Sequence, residues 1–355
     1  MKIAFVNDTF LYGRGADTAI YELARRLGKR HDVHIITFQA DFPEENFKIK
    51  IVPGRKLVTK TWRDFLFLRN LRSINKATEG YDIVNLHHFL LNTALWRKNL
   101  VVTYNGSPIY RNTEGGFRKF MREWTVSTNK FLLRFVPWII AISNSIKQEL
   151  KESGIRESRI KVIYDGISDE FKPTLKDKNF MLFVGRHEPH KKVDEIIKLS
   201  KDLNFKLKIV GDGSITEKLK NYAKRINANK VEFLGLVSRK GLIHLYQECS
   251  FFVSASRWEG FGLIFLEAGA CGKTSIAYNL FSIPEVIQNN KTGFLVNNYE
   301  EFREKAKILM DNNEIREKMG KNAISFSKNF NWNKKAEEYG QLFLKIKLKN
   351  EHKFK

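Results

Sequence analysis

The feature that most constrains the fold is the alternation of short apolar runs with helical patterns. Runs such as KIAFVN, VHIITF, KIKIV, DIVNLH, NLVVTY and WIIAIS are separated by segments like Ala16 to Leu27, whose apolar residues recur at helical spacing. Strands that are apolar throughout need cover on both faces, and helices supply it when the strands are parallel. The alternation therefore predicts an α/β fold built on parallel sheets.

The same alternation starts again after FKPTLKDKN, a polar stretch with Pro173 that is typical of a linker. A length of 355 residues suits two domains of ordinary size. We predict two Rossmann-like, doubly wound domains that face a central cleft, and ligands of such sheets bind at the carboxyl ends of the strands. The predicted domains cover residues 1–172 and 173–330, and residues 331–355 are expected to form a helix that crosses back to the first domain.

Composition limits the class of protein. Hydrophobic residues make up 43% of the chain, which argues against disorder. Cys249 and Cys271 both lie in apolar patterns, which favours a reducing compartment without disulfides. The N-terminal MKIAFVNDTF meets polar residues too early for a signal peptide, and no apolar run reaches the roughly 18 residues of a spanning helix. These patterns predict a cytoplasmic protein.

The formal net charge of +23 is divided almost equally, with +11 up to residue 172 and +12 beyond it. A basic protein can bind phosphorylated small molecules, anionic lipid or nucleic acid. We find no nucleic-acid recognition motif, so nucleic acid is not expected as a partner. The chain is also rich in Lys, Asn, Ile and Phe. Such a biased composition explains much of the charge as well as binding to an anionic partner does.

The segment FVGRHEPHKKVDEII carries two cations in a loop between a strand that ends at Gly185 and a helix that begins near Val193. Arg186 offers a planar guanidinium fork and Lys191 a mobile ammonium, and together they suit a diphosphate. A solvated basic loop is the alternative interpretation. The next strand ends in KIVGDGSI, where Gly211 and Gly213 permit either close approach of a ligand or a simple turn.

The segment SRWEGFGLIFLEAGACG combines two carboxylates with a predicted helix start. The helix N-terminus near Gly262 and Leu263 favours a phosphate. Glu267 follows in an apolar setting, where a carboxylate needs hydrogen-bond donors such as ribose hydroxyls, and Glu259 can accept hydrogen bonds from a sugar. A helix cap with one exposed acid is the alternative. The candidate binding residues of this segment are Glu259, Gly260, Phe261, Gly262, Leu263 and Glu267.

These motifs, with the flanking SIPEVI and TGFLV, resemble those of a retaining GT-B glycosyltransferase of family 4, also called glycosyl transferases group 1. The likeness covers nearly the whole chain through SNSIKQEL, VIYDGISDEF and NWNKKAEEY. It implies a hexosyltransferase that uses a UDP- or GDP-sugar, bound mainly by the second domain. It also implies transfer with retention of configuration to a glycan or lipid-linked acceptor.

The resemblance assigns roles to residues at matching positions. Arg186 and Lys191 are expected to hold the diphosphate, Glu267 the ribose and Glu259 the donor sugar. Backbone near Leu236 and Val237 is expected to meet the base, and Gly262 with Leu263 to contact phosphate or sugar. No segment resembles an acidic metal motif, so we expect metal-independent transfer without a cofactor beyond the nucleotide sugar.

The first domain departs from the family pattern at two places. The loop LYGRGADTAIYEL has Gly13 and Gly15 for close approach to the donor phosphate, but Thr18 stands where a small residue is usual. Asn105, in NLVVTYNGSP, stands where the family usually has His. Asn can position a hydroxyl but cannot titrate. Either the departing phosphate accepts the acceptor proton, or the protein binds nucleotide sugar with reduced or lost transfer.

His87 and His88 end a predicted strand and either line the acceptor side or pack at the edge of the core. Two further stretches, within residues 57–72 and 110–138, mix cations with aromatic residues. Basic amphipathic helices with aromatic residues can lie on an anionic membrane surface, so peripheral contact with a membrane is one interpretation. The alternative is a helix that packs on its own sheet and exposes a basic face.

Overall fold

The computed structural model describes residues 1–11, 15–53, 71–87, 97–106, 127–128, 130–174 and 176–352. They divide into two compact units. The first contains the described residues up to Gly166 together with those from Trp332 onward, and the second extends from Ile167 to Asn331. The chain therefore changes unit between Gly166 and Ile167, ahead of the polar stretch around Pro173.

A parallel sheet forms the centre of the first unit. Its order among the described strands is β3-β2-β1-β4-β5-β6-β7, and every neighbouring pair is parallel. Nearly all residues of the central strands are buried, which explains why the sequence shows apolar runs there instead of alternating apolar and polar residues. The strands are β1 (Lys2–Val6), β2 (Asp32–Thr37), β3 (Lys48–Ile51), β4 (Ile83–Leu86), β5 (Leu100–Tyr104), β6 (Trp138–Ala141) and β7 (Ile160–Val162).

Helices α1 (Gly15–Leu27), α2 (Leu71–Ala77) and α3 (Asn144–Glu152) belong to the same unit. The Ser143 hydroxyl caps α3 by accepting a hydrogen bond from the Ile146 backbone N–H at 3.1 Å, which confirms the cap predicted from the sequence. A 3-10 turn, Glu157–Arg159, leads from α3 into β7.

The second unit contains another parallel sheet, ordered β10-β9-β8-β11-β12-β13 among the described strands. Winding starts at β8 and proceeds to one side, then resumes at β11 on the other, which is the doubly wound order. The prediction of two Rossmann-like parallel-sheet domains is therefore confirmed. The strands are β8 (Met181–Val184), β9 (Leu207–Val210), β10 (Val231–Gly235), β11 (Phe251–Ser254), β12 (Ser275–Tyr278) and β13 (Gly293–Val296).

Helices cover the second sheet and bury a core that includes Phe183, Ile197 and Phe251. They are α4 (Val193–Leu203), α5 (Thr216–Arg225), α6 (Arg239–Glu248), α7 (Leu263–Ala270), α8 (Ile283–Val286), α9 (Tyr299–Asp311) and α10 (Asn313–Ser327).

The last helix, α11 (Trp332–Glu351), is part of the first unit. Its Tyr339 and Phe343 are buried in the same apolar cluster as Ile20 and Leu23 of α1. None of the helices within the described ranges, α11 included, is both long and apolar enough to cross a membrane.

Candidate functional site

The candidate site lies where β8 and β11 are neighbours although they are far apart in the sequence. The chain leaves these two strands toward opposite sides of the sheet, and such a switch point opens a crevice beyond the carboxyl ends of the strands. The loop after β8 carries Arg186 and Lys191, and the loop after β11 carries Glu259. Sheet order therefore places the predicted cations and the first predicted carboxylate on adjacent loops.

Lys191 and Glu259 form an ion pair at this switch point. The Lys191 Nζ donates to both carboxylate oxygens of Glu259, at 2.6 and 2.7 Å. The lysine side chain is 14% exposed and that of Glu259 10%. Pairing compensates for removing both charges from water. Lys191 ends a 3-10 turn, Pro189–Lys191, and Lys192 turns the chain into α4 with a left-handed φ of 48°.

Arg186 occupies a different environment from Lys191. Its side chain is exposed, and it has no hydrogen-bond or ion-pair partner within the part of the chain that the structure describes. Backbone hydrogen bonds fix the residues on either side of it, from the Gly185 N–H to the Val210 carbonyl at 3.1 Å and from the His187 N–H to the Asp212 carbonyl at 3.0 Å. The loop backbone is thus held while the guanidinium stays available to an anion.

Gly211 and Gly213 permit these backbone contacts. Gly211 has a φ of +122°, and a Cβ there would fall 2.0 Å from the Gly185 carbonyl oxygen. A Cβ at Gly213 would fall 2.4 Å from the His187 carbonyl oxygen. Both glycines therefore allow the loop after β9 to pack directly against the loop that carries Arg186. The sequence suggested a simple turn or the close approach of a ligand, and the structure adds a third use of these glycines, the close packing of one loop on another.

A cluster of three residues that the sequence did not reveal ties α4 to the loop after β11. The Arg257 guanidinium donates to both carboxylate oxygens of Glu195, at 2.8 and 3.1 Å, and lies 3.9 Å from the centre of the Tyr278 ring. The Tyr278 hydroxyl donates to Glu195 at 2.7 Å. The Arg257 N–H also donates to the His190 carbonyl. These contacts fix the two loops that carry Lys191 and Glu259.

The segment from Glu259 to Leu263 leads into the first turn of α7. The buried Ser282 hydroxyl donates to the backbone carbonyls of Glu259 and Phe261, at 2.8 and 3.1 Å. Gly262 is the N-cap with a φ of 99°, and a Cβ there would lie 3.0 Å from the Phe265 ring. Gly260 and Phe261 complete this compact turn. It presents the positive end of α7 at the switch point.

Glu267 has partners that the sequence did not predict. The fully buried Tyr246 donates its hydroxyl proton to Glu267 Oε2 at 2.9 Å, and Arg239 Nη1 lies 3.9 Å from Oε1. Burial raises the pKa of Glu267, while the Arg239 charge and the Tyr246 hydrogen bond oppose the rise. The side chain retains 17% exposure, so a ligand can reach it.

Leu236 and Val237 follow β10 directly, and the Leu236 side chain is 82% exposed. The Ser238 hydroxyl then caps α6 by accepting from the Gly241 N–H at 3.2 Å. Because Arg239 begins α6 and lies beside Glu267, the structure brings the predicted base-binding segment close to the predicted ribose-binding carboxylate.

In the first unit, Asn105 directly follows β5 and is partly buried. Its side chain has no hydrogen bond to any other described residue. Gly15 begins α1, whereas Gly13 and His88 lie outside the described residues. His87 Nε2 lies 2.8 Å from Asn85 Oδ1, and burial lowers its pKa to about 3. Its imidazole is therefore neutral at physiological pH.

The loop after β1 is organised by Asp17, a buried carboxylate near the start of α1. Its oxygens accept hydrogen bonds from the Asn7 side chain at 2.6 Å, the Leu11 N–H at 2.8 Å and the Thr9 hydroxyl at 3.3 Å. A carboxylate at a helix N-terminus is favoured by the helix dipole. Asp17 thus ties the residues that follow β1, up to Leu11, to the first turn of α1.

Cys249 and Cys271 are free and buried. Burial raises the pKa of both thiols, that of Cys271 to about 12, so both are protonated at physiological pH. Across the described ranges, His, Cys, Asp and Glu side chains do not assemble in groups of three or more that could hold a metal ion.

Two family models match consecutive parts of the chain. The model described as glycosyl transferases group 1 matches residues 167–326, which include Arg186, Lys191, Glu259 and Glu267. The model described as glycosyltransferase family 4 matches residues 13–171.

Individual proteins match over nearly their whole length. An uncharacterized glycosyltransferase of Methanocaldococcus jannaschii is 32% identical, over 94% of this chain and 95% of that protein. A Campylobacter jejuni α-1,4-N-acetyl-D-galactosaminyltransferase, whose name gives a GalNAc-containing diphospho-undecaprenol as its acceptor, is 24% identical over 98% of this chain and 99% of its own. The Anabaena protein HepE, solved in complex with UDP-glucose, superposes with a TM-score of 0.81 at 17% identity, over 97% of this chain and all of HepE.

Proposed function

The chain belongs to the glycosyl transferases group 1 family, and on that premise we propose that it moves a hexosyl group from a UDP- or GDP-sugar to a glycan or lipid-linked acceptor. The carrying observation is the pairing of Lys191 with Glu259 at the β8–β11 switch point. In this proposal Lys191 is the cation for a diphosphate, and Glu259 beside it is the carboxylate for sugar hydroxyls.

The donor fits the site in three parts. The diphosphate lies between Arg186, Lys191 and the first turn of α7, which offer two cationic side chains and a helix N-terminus. Glu259 accepts hydrogen bonds from the sugar, and Glu267 accepts them from the ribose. The base lies against backbone at Leu236 and Val237. HepE, solved with UDP-glucose, has the same fold, which supports a donor of this class.

The proposed reaction exchanges one bond for another at the anomeric carbon. The bond from that carbon to the diphosphate oxygen breaks, and the bond to the acceptor oxygen forms on the same face, so configuration is retained. The leaving oxygen accepts the acceptor proton, and Asn105 has a positioning role. Arg186, Lys191 and the α7 N-terminus stabilise the charge that grows on the diphosphate, so transfer proceeds without a metal ion.

Turnover in the presence of EDTA tests metal independence. Undiminished turnover supports it, and abolished turnover that Mg²⁺ restores contradicts it.

The acceptor class is proposed from chemistry and likeness together. A net charge of +23 favours phosphorylated or anionic partners, and the Campylobacter relative is named for a diphospho-undecaprenol acceptor. The two stretches expected to meet an anionic membrane lie largely outside the described residues. Co-sedimentation with anionic vesicles at low salt tests the peripheral, cytoplasmic-face association that we propose.

One experiment separates transfer from binding alone. Purified protein is incubated with UDP- and GDP-sugars and with short-chain polyprenyl diphosphate-linked sugars, and products are analysed by mass spectrometry and NMR. A new glycosidic bond with the donor's anomeric configuration supports the proposal, and inversion of that configuration rejects retention. Tight donor binding without transfer or hydrolysis would instead identify a nucleotide-sugar-binding protein, as Asn105 at the usual His position suggests.

A further inference from the structure

Arg239 lies between two carboxylates at the edge of the proposed ribose site. Its Nε donates to Glu170 Oε2 at 3.0 Å, and its Nη1 is 3.9 Å from Glu267 Oε1. The guanidinium lies 4.5 Å from the centre of the Phe171 ring. Three contacts of different kinds thus fix a side chain that is itself 41% exposed.

Burial raises the pKa of Glu267, and apart from Arg239 the described side chains that face it carry no positive charge, although the Tyr246 hydroxyl donates a hydrogen bond to it. Tyr246 and Cys271 face it from α6 and from the end of α7, and both are buried and protonated at physiological pH. Lys273, the next cation along the chain, instead donates to the Lys176 backbone carbonyl. Among the residues whose contacts with Glu267 the structure describes, Arg239 is the cation that favours its carboxylate form.

The charge state of Glu267 decides what it can bind. A carboxylate accepts hydrogen bonds from two hydroxyls, whereas a protonated carboxyl loses part of that capacity. We propose that Arg239 is a positioning residue that holds Glu267 as a carboxylate for the donor ribose, in competition with Glu170. This inference depends on the proposed function, because it assumes that Glu267 binds a nucleotide sugar.

Glu170 and Glu267 compete for the Arg239 guanidinium, so replacing Arg239 and replacing Glu170 should change the pKa of Glu267 in opposite directions. Glu170 is 57% exposed and Glu267 only 17%, so water screens the Glu170 contact more strongly. Replacing Arg239 removes the favourable charge from Glu267 and raises the pKa of that carboxyl. Replacing Glu170 with Gln removes an anion that shares the guanidinium, which lowers the pKa of Glu267. A purely structural role for Arg239 predicts no such opposition.

The test measures dissociation constants for UDP-glucose and GDP-mannose between about pH 4.5 and pH 8, a range in which their diphosphate diesters do not titrate. A proton on Glu267 competes with donor, so the dissociation constant should rise about tenfold per pH unit below the pKa of Glu267. We call this rise at low pH the acid limb, and we expect it to begin at a higher pH in Arg239→Met than in the wild type. It should move to lower pH in Glu170→Gln and stay near the wild-type position in Arg239→Lys. Lys240→Met, which removes a neighbouring exposed charge of α6, is the matched control and should leave the limb in place.

Each outcome bears on a separate claim. Opposite shifts in Arg239→Met and Glu170→Gln support the inference. Uniformly weaker binding in Arg239→Met with an unmoved limb overturns it, as does a limb that moves equally in Lys240→Met. Failure of the wild-type protein to bind either sugar nucleotide rejects the donor site itself. Because the acid limb is compared only in proteins whose donor binding is measurable, failure of the Arg239 inference is distinguishable from failure of the proposed donor site.

Discussion

Lys191 and Glu259 form a nearly symmetrical ion pair, with the lysine Nζ 2.6 Å from one carboxylate oxygen and 2.7 Å from the other. In our proposal these are also the groups that bind the donor diphosphate and the donor sugar. When a donor binds to both side chains, its contacts replace those that Lys191 and Glu259 already make with each other. The free protein thus keeps both groups in place before the donor arrives, which limits the reorganisation that binding requires.

The two loop cations should both be needed for turnover. We expect Arg186→Ala and Lys191→Ala each to lower kcat by roughly two or more powers of ten, because each removes a charge that stabilises the departing diphosphate. Turnover is measured at saturating donor, with Lys240→Ala as a control that removes an exposed cation elsewhere. Near-wild-type kcat in either variant removes that residue from the mechanism.

The ion pair should also show energetic coupling in the absence of donor. Lys191→Met leaves the Glu259 carboxylate, 10% exposed, without its cation. We expect a loss of about 3 kcal/mol or more in the free energy of unfolding. The double variant Lys191→Met/Glu259→Gln should recover much of that loss. Urea unfolding of the wild type, both single variants and the double variant gives the coupling energy, and additive losses would show that the pair is not coupled.

Gly211 should tolerate no side chain. Alanine there requires a φ of +122° and places a Cβ 2.0 Å from the Gly185 carbonyl oxygen. We expect Gly211→Ala to lower the free energy of unfolding by at least about 2 kcal/mol and to weaken donor binding by moving Arg186. Gly340→Ala in α11 is the control, because its Cβ makes an ordinary 3.5 Å contact with Leu27. Equal stability of the two variants contradicts this account.

Asp165 should make stability depend on pH. Burial raises the pKa of this carboxyl from 3.8 to about 7 in the folded protein. Folded protein therefore holds the proton more tightly than unfolded protein, so the stabilisation present below pH 3.8 is lost as pH rises through about 7. Asp165→Asn removes this loss, and the variant should gain stability relative to wild type as pH rises. Stability differences that are constant across pH would show that Asp165 does not titrate in this way.

The sequence was sufficient for the architecture because its signals are local. Apolar runs mark buried parallel strands, and Ser143 marks the cap of α3 through a contact three residues away. Val193 was likewise expected near the start of α4 and is its first residue. Such features depend on neighbours in the chain, which a pattern can report.

The site was only partly predictable because its contacts are not local. Lys191 and Glu259 are 68 positions apart, and only the β8–β11 pairing brings them together. The same holds for Tyr246 with Glu267 and for Arg257 with Glu195. An apolar setting signalled that Glu267 needed a hydrogen-bond donor, but ribose was the partner considered, and a tyrosine from another helix was not.

The most direct test of the central claim is a thermal-shift screen of the purified protein against UDP-, GDP-, ADP- and TDP-sugars, run in parallel on Lys191→Ala. Ligand that binds only the folded protein raises Tm. We predict a rise with a UDP- or GDP-sugar in the wild type, reduced or absent in Lys191→Ala at the same concentration. No rise with any nucleotide sugar, or an equal rise in both proteins, would contradict a donor site built on Lys191 and Glu259.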